Sequence, residues 1–453
     1  MKYIYTCLLV LLSVNSYSQK QLTLAECREM ALEHNKQSKV SLMQIEKASQ
    51  DVKTYRAKFF PHLSAQGNYL LNSKKYKETI PSMKIPIVSA TPPHLPNGGL
   101  LVTPDIPLEF GLNNSWFAGV NLKQPLYMGG KIRSAYQMSK IGREIALLNR
   151  NLSDTEVVYE TDKAYWTLLK VEELLLAAQK YQEVVEHLLQ DINNAFEVGM
   201  TSRNDILKVQ VKLNEAKLQC RRAQNAVTLS KMNLCHVIGY SLLEDVEVAD
   251  RELDETKSDL PIVHDVFLRP EYQMLSKNLD LKYQEVRLTR SDYLPQVGVM
   301  GGWAYSDALK FNDNKLVKGG SFSALLSVSI PLFQWGEGIS KVRSKKAEHQ
   351  MALLQREDAS EKMMLEMTMA LNQVDESKLE VEMTTESLAQ AEENLKTSTE
   401  QFDVGLETLT EHLEAQTLWQ KAWAENIEAK AQLRLNETNY LKASGQLDVH
   451  AKK

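Results

Sequence analysis

Two stretches of this chain share one pattern: WFAGVNLKQPLYMGG at residues 116–130 and FSALLSVSIPLFQWG at residues 322–336. In the second stretch apolar side chains alternate with serine, and Leu325 is the exception. The alternating apolar residues are Phe322, Ala324, Leu326, Val328 and Ile330. A period of two over about ten residues predicts a strand with one apolar face, and this length suits a tilted membrane strand.

An internal duplication follows from the spacing of these and other segments. The two stretches lie 206 residues apart, and the same spacing relates AFEVGM at 195–200 to QFDVGL at 401–406. The prolines that open PHLSAQGNYL and PQVGVMGGWAY lie 234 residues apart, which indicates an insertion of 28 residues in the first half. We therefore predict a fold that is mainly α and repeats the order helix, strand, strand, helix, helix.

The duplication sets the predicted domain boundaries. A first structural repeat covers residues 19–260 and a second covers residues 261–453. The four predicted strands are about 60–71, 114–125, 294–306 and 320–331. The insertion is rich in proline, so we expect residues 73–110 to form a long irregular surface loop.

Aromatic residues cluster at the ends of the predicted strands, as they do in the interfacial belts of membrane strands. The predicted belt residues are Tyr69, Trp116, Tyr127, Trp303, Phe333 and Trp335. Four strands cannot close a barrel, and an open sheet edge cannot lie in lipid. Eight strands from two chains would fill their own interior, whereas twelve from three leave a channel. We therefore predict a homotrimer with a twelve-stranded membrane β-barrel.

Long helices account for most of the remaining chain. Residues 131–196 and 337–402 contain no proline and one glycine each, and each segment would span about 100 Å as a helix. Between residues 201 and 239, apolar and small residues are spaced alternately by three and four, which predicts a coiled-coil seam. The seam residues are Ile206, Val209, Leu213, Ala216, Cys220, Ala223, Val227, Ser230 and Leu234.

The N-terminus and the composition narrow the class of protein. Residues 1–18 are predicted to be a secretory signal peptide, because Lys2 precedes a short apolar run and a small-residue cleavage site. The cysteines beyond it fit no zinc or redox spacing, and we expect Cys220 and Cys235 to be small core residues. The net charge of −5 argues against nucleic-acid binding.

The chain resembles the TolC-like outer-membrane efflux proteins over nearly its whole mature length. The resemblance rests on the order of paired motifs: FFPHLS with YLPQVG, QPLYMGG with IPLFQWG, and FEVGMTSRNDIL with FDVGLETLTEHL. It implies a trimer in outer-membrane lipid, with an extracellular loop at 73–110 and a periplasmic α-helical barrel below the β-barrel.

The resemblance also implies a function and partners. We expect the outer-membrane channel of a tripartite efflux or type I secretion system, docked on a periplasmic adaptor (membrane fusion) protein and an inner-membrane transporter. It would pass drugs, small toxic solutes, metals or proteins.

Two glycine turns, near residues 199 and 405, match the periplasmic tips of this family. The predicted adaptor contacts are Val198, Gly199, Met200, Val404, Gly405 and Leu406. The acidic residues predicted at the pore are Asp205, Glu407, Glu411 and Glu414. Threefold symmetry would turn each acid into a ring that favours cations. The alternatives are a plain helix stop for each glycine and a solvated helix face for the acids.

The best-known member has a tyrosine and an arginine where Phe402 and Glu407 stand in this chain. The bonds that lock that member's gate cannot form here in the same way.

Two other functions remain as alternatives. A periplasmic coiled-coil adaptor or scaffold would have the helices, but not the duplication or four strands with a lipid-type pattern. An enzyme is the more distant alternative, because the nine histidines have no ligand spacing and no nucleophile is paired with a base. We expect no catalytic residue, no metal site and no cofactor.

Overall fold

The computed structural model describes residues 20–71, 75–88, 96–111, 115–250, 253, 265–307, 310–311, 314–315 and 318–447. The α-helices within these residues are α1 Leu24–His34, α2 Lys36–Ala57, α3 Lys131–Glu197, α4 Arg203–Ile238, α5 Pro270–Ser291, α6 Glu337–Asp403 and α7 Leu409–Ala443. None of them is both long enough and apolar enough to cross a membrane. The predicted signal peptide, residues 1–18, lies outside the described residues.

Most of the strands belong to two four-stranded sheets. In chain order the strands are β1 Lys20–Leu22, β2 His62–Leu70, β3 Lys75–Ile80, β4 Lys84–Val88, β5 Pro96–Val102, β6 Ile106–Gly111, β7 Ser115–Met128, β8 Val246–Val248, β9 Gln296–Asp307, β10 Lys310–Phe311, β11 Asn314–Lys315 and β12 Lys318–Ser329. The largest sheet has the order β12-β9-β7-β2 and is antiparallel throughout. Each half of the chain supplies two of its strands, so the duplicated order of elements is confirmed.

The register of this sheet makes its two faces different. One row across the four strands contains Phe322, Trp303, Val120 and Ala65. The adjacent row, on the opposite face, contains Ser323, Gly302, Asn121 and Ser64. Because side chains alternate along a strand, the two patterns stay separate from one row to the next. The apolar and polar faces predicted from the alternation are therefore continuous across the sheet.

The insertion at residues 73–110 contains paired strands, so the expectation of irregular chain is wrong. β3 pairs with β6, and β10 and β11 from the second repeat extend this pair to the order β11-β10-β6-β3. β4 and β5 form a separate hairpin, whose register shifts between Pro86 and Val88. Pro81 and Pro104 lie between strands, where their missing N–H groups interrupt no ladder.

The helices α3, α4 and α7 pack through the predicted seam. The seam residues Val209, Leu213, Ala216, Cys220 and Leu234 of α4 are buried. One apolar cluster joins this seam to Val185 and Leu188 of α3 and to Leu409 and Leu413 of α7. Cys27, Cys220 and Cys235 are buried free thiols, which confirms Cys220 and Cys235 as core residues.

The chain forms two compact units. One consists of Ser49–Ile141 and Asp280–Gln350 and contains the β12-β9-β7-β2 sheet. The other contains most of α3 and α6 and all of α4 and α7, and its core includes Leu22, Tyr165 and Ile238 beside the parallel β1–β8 pair. In this second unit the guanidinium of Arg28 donates two hydrogen bonds to Asp162, at 2.7 and 2.5 Å, and connects α1 to α3.

Candidate functional site: the sheet faces and the hairpin turns

The apolar face of the β12-β9-β7-β2 sheet is uncovered in a single chain. Phe322 is 76% exposed and Leu326 is 62% exposed, although both belong to a well-paired strand. Leu63, Val120, Leu122, Trp303 and Val328 of the same face are exposed as well. An apolar face of this size needs a covering of lipid or of another protein surface.

Aromatic side chains lie at both ends of this sheet. At one end the Trp116 ring stacks on the Tyr305 ring at 4.7 Å, and Tyr69 lies opposite Trp116 in the register. The Trp303 ring, on the same strand as Tyr305, lies 6.4 Å from the Tyr305 ring between centroids. At the other end Tyr127 is exposed, and Phe333 lies edge-on to Trp335 at 4.9 Å. The predicted belt residues thus form two groups, and Tyr305 joins the first.

Tyr305 was missed because the sequence places it inside the alternating run rather than at its end. Only the register shows that β9 continues to Asp307, which brings Tyr305 between two tryptophans.

The two hairpin turns at the ends of α3 and α6 have the same geometry. Gly199 has φ +79° and Gly405 has φ +75°, in the left-handed region that glycine tolerates best. In each turn the N–H of the glycine and of the next residue donate to carbonyls of the preceding helix, as in Met200 N to Ala195 O at 2.8 Å. Val198, Met200, Val404 and Leu406 beside these glycines are between 70% and 83% exposed.

Each turn is followed by a capping box that contains one of the predicted pore acids. Ser202 is the N-cap of α4, and its hydroxyl donates to the Asp205 carboxylate at 2.6 Å. Thr408 is the N-cap of α7, and its backbone N–H donates to the Glu411 carboxylate at 2.9 Å. These hydrogen bonds hold the pKa of Asp205 and of Glu411 below the ordinary values. Within one chain both acids therefore help to start a helix.

Glu414 lies on an exposed groove between α4 and α7. The groove has a volume of about 730 Å³ and is lined by Lys208, Val211, Lys212, Thr410, Leu413, Glu414, Thr417, Leu418 and Lys421. Lysines outnumber acids in this lining. Glu407 is half-buried in the second turn, and its Oε2 has no hydrogen-bond partner among the described residues. The structure therefore gives the four acids different surroundings, and their arrangement as rings stays a prediction.

A comparison with protein families matches the description "Outer membrane efflux protein" over residues 27–240 and 268–446. These residues make up most of the chain. The chain is an outer membrane efflux protein. It therefore lies in the outer membrane, extends into the periplasm and acts as a channel for efflux or secretion.

Relatives of known name agree with this assignment. This outer membrane efflux protein is 21% identical to Outer membrane protein TolC of Escherichia coli over 343 residues, which cover 70% of this chain and 68% of TolC. It is 26% identical to Alkaline protease secretion protein AprF of Pseudomonas aeruginosa over 253 residues, or 52% of this chain and 50% of AprF. These relatives favour the channel over the periplasmic adaptor or scaffold, and none of the names is that of an enzyme.

The fold of this outer membrane efflux protein also matches solved structures. The CmeC outer membrane channel of Campylobacter jejuni superposes with a TM-score of 0.75 at 17% identity, and the match covers 95% of this chain and 87% of CmeC. At this identity the likeness concerns the fold.

One residue of this efflux protein's second turn was missed by sequence reasoning. His412 is 4% exposed, and its ring stacks on Phe402 at 4.8 Å. Its Nδ1 lies 3.0 Å from Ser398 Oγ, and its Nε2 lies 2.9 Å from Gln416 Nε2. Burial lowers the pKa of His412, and the nearby Glu407 and Asp403 oppose this effect. The available signal was the 206-residue repeat, which aligns His412 with the seam residue Ile206.

Proposed function

We propose that three copies of this outer membrane efflux protein form one export channel, with the β12-β9-β7-β2 sheets closed edge to edge into a twelve-stranded barrel. The apolar face of each sheet contacts lipid, and the polar face lines the water-filled pore. The observation that carries this proposal is a sheet that combines one apolar face, one polar face and two open edges, β12 and β2. Lipid cannot satisfy the backbone groups of open edges, so neighbouring copies must pair them.

The polar face fits a wet lumen. Its residues include Ser64, Asn121, Ser321, Ser323, Ser327 and Ser329. Small polar side chains leave room in the interior and can exchange hydrogen bonds with water. The β3–β6 region lies beyond the Tyr69–Trp116 end of the sheet along the chain, so we place residues 73–110 on the extracellular side.

The glycine turns fit contacts with a periplasmic adaptor protein that connects the channel to an inner-membrane transporter. Four large apolar side chains are exposed at the two hairpin turns: Val198, Met200, Val404 and Leu406. Exposed apolar groups rimmed by polar residues are typical of protein interaction sites. Asp205, Glu407, Glu411 and Glu414 would lie around the same opening in the trimer and give it a preference for cations.

Single substitutions in β12 test the orientation of the sheet. We expect Leu326→Asp and Val328→Asp to block assembly, because a charge facing lipid near mid-membrane costs about 2–4 kcal/mol. Ser327→Asp, on the polar face between them, should be tolerated. Heat-modifiable trimer bands on gels of outer-membrane fractions report assembly. Equal behaviour of the three variants would refute the orientation, and a folded monomer that retains its β-signal would refute the trimer.

A further inference from the structure

Among the described residues of the polar face of the β12-β9-β7-β2 sheet, one row sets two large apolar side chains side by side, whereas Phe117 on the same face lies between Asn68 and Ser306. In the register, His62 lies opposite Lys123, Lys123 opposite Met300, and Met300 opposite Leu325. This row contains Leu325, the residue that interrupts the serine alternation of β12. The adjacent rows on the same face contain Ser64, Asn121, Gly302 and Ser323 on one side, and Pro125, Gly298 and Ser327 on the other.

Met300 and Leu325 of this row are open to solvent although they face away from the apolar surface. Met300 is 42% exposed and Leu325 is 58% exposed. On β9, the residues two positions before and after Met300 on this face are Gly298 and Gly302. No side chain covers the backbone at Gly298, whereas the Asn121 side chain lies over Gly302. Met300 and Leu325 therefore form a small apolar patch on this face, flanked by glycine on β9 and by serine on β12.

Lys123 adds a positive charge to the middle of the same row. Its side chain is exposed, and no ion pair of Lys123 exists among the described residues. The part of the polar face that β2, β7, β9 and β12 supply contains no aspartate or glutamate; Asp307 belongs to the other face, opposite Trp116. An anion that reaches Lys123 would therefore meet no fixed negative charge on this sheet face.

We propose that the row His62–Lys123–Met300–Leu325 is a contact site on the channel wall for amphiphiles with an anionic head group and an apolar body. The ammonium of Lys123 binds the head group, and Met300 and Leu325 contact the body. Cross-strand neighbours lie about 5 Å apart, so head and body are reached by one molecule of moderate length. This inference rests on the proposed function, because only the closed trimer turns the polar face into a pore and repeats the row three times.

Met300 and Leu325 suit such a ligand better than a rigid pocket would. Methionine is flexible and polarisable, so its side chain adapts to apolar groups of different shape. A wall contact must also release its ligand for export to continue, and binding that is favourable but weak allows this. The row is thus a site of weak, transient ligand binding on the wall of the pore.

Single-channel recording of the purified trimer in planar bilayers tests the proposal. The probes are 1-decanesulfonate, 1-propanesulfonate and decyltrimethylammonium, each below its micellar concentration. We expect decanesulfonate to interrupt the ion current for measurable times, propanesulfonate to act only weakly, and the cation to give no block that depends on Lys123.

Three variants separate the two halves of the site. Lys123→Gln should shorten decanesulfonate block about tenfold, because a hydrogen bond to a charged group is lost, whereas Lys123→Arg should preserve it. Met300→Gln with Leu325→Asn should remove the advantage of decanesulfonate over propanesulfonate. Lys58→Gln removes an exposed lysine directly after α2 that does not belong to the row and serves as the matched control.

The possible outcomes are distinct. Block that is unchanged in both Lys123→Gln and the Met300–Leu325 double variant, in trimers that conduct normally, overturns the site and leaves the channel function intact. Block that falls equally in the Lys58→Gln control also overturns it, because the effect would then be general. A purified trimer without any conductance would instead overturn the proposed function, and this inference with it.

Discussion

The long helices α3 and α6 have 67 residues each and occupy the same place in the two repeats, but a single chain covers them differently. On α3, the exposed large apolar residues are Leu147, Leu176 and Phe196. On α6, they are Ile339, Met351, Leu354, Met364, Leu365, Met369, Leu379 and Met383. The buried residues of α3 include Tyr165, Leu168 and Tyr181, whereas many of those on α6 are alanine, serine or valine.

This difference shows which helix depends on a partner. α3 buries most of its large apolar side chains within its own chain, so its packing depends less on assembly. α6 keeps a series of large apolar side chains in solvent, which is unfavourable unless another surface covers them. In the proposed trimer, the α6 surface is the one that the neighbouring copy covers.

The largest expected effect comes from placing charge on this α6 surface. Leu365→Glu combined with Met369→Glu should abolish the trimer, because unpaired charges buried at an interface cost about 3 kcal/mol or more. Leu176→Glu on α3 is the control and should leave the trimer intact. Native mass spectrometry in detergent measures the stoichiometry. If the α6 variant stays trimeric, the exposed side chains of α6 are not at the interface between copies.

The two hairpin turns should also differ in their response to pH. His412 is buried and its pKa is lowered, so the unfolded chain takes up a proton before the folded hairpin does. The stability that the neutral ring supplies is complete above the ordinary pKa of about 6.5 and is lost as pH falls below it, by at most about 1.4 kcal/mol per pH unit. The first turn has Ile206 at the matching position and should show no such loss.

Amide hydrogen exchange around both turns, at about pH 7.5 and about pH 5.5, measures this difference within one sample. His412→Ile should make the second turn as insensitive to pH as the first. A second turn that loses protection equally in wild type and in His412→Ile would show that His412 is not the source of the pH dependence.

The smallest expected effect is the loss of a helix cap, and this loss should be equal in the two hairpins. Ser202→Ala and Thr408→Ala each remove the hydroxyl of a capping box, which should lower the local stability of the helix start by about 1 kcal/mol. Hydrogen exchange at the first turn of α4 and of α7 measures this loss. Losses that differ widely would indicate that one cap also contacts another part of the assembly.

Features with a local cause could be predicted from the sequence. The two faces of β12 follow from alternation, and the turn glycines and the capping residues Ser202 and Thr408 follow from preferences of single residues within a few positions. The seam of α4 follows from its spacing of three and four. Each of these features depends on near neighbours in the chain, which the sequence shows directly.

Features that depend on distant segments could not be predicted in this way. Within residues 73–110, β6 pairs with β10, which lies about 200 residues away in the chain. No local sequence pattern predicts this pairing. The burial of His412 depends on Phe402 and Ser398 of another helix. The hydrogen bond from the N-cap residue Ser202 to Asp205 was missed for another reason. The resemblance implied a role for Asp205 at the pore, and this interpretation took the place of a role in the helix cap.

The burial of the three thiols has a practical consequence for chemistry on this protein. Burial raises the pKa of Cys235, so that little reactive thiolate forms at neutral pH, and Cys27 and Cys220 are likewise enclosed. Reagents that alkylate thiols from water should therefore leave the folded chain unmodified at these positions. A cysteine introduced at an exposed site, such as Ser327 or Met200, could then be labelled selectively without first removing the native cysteines.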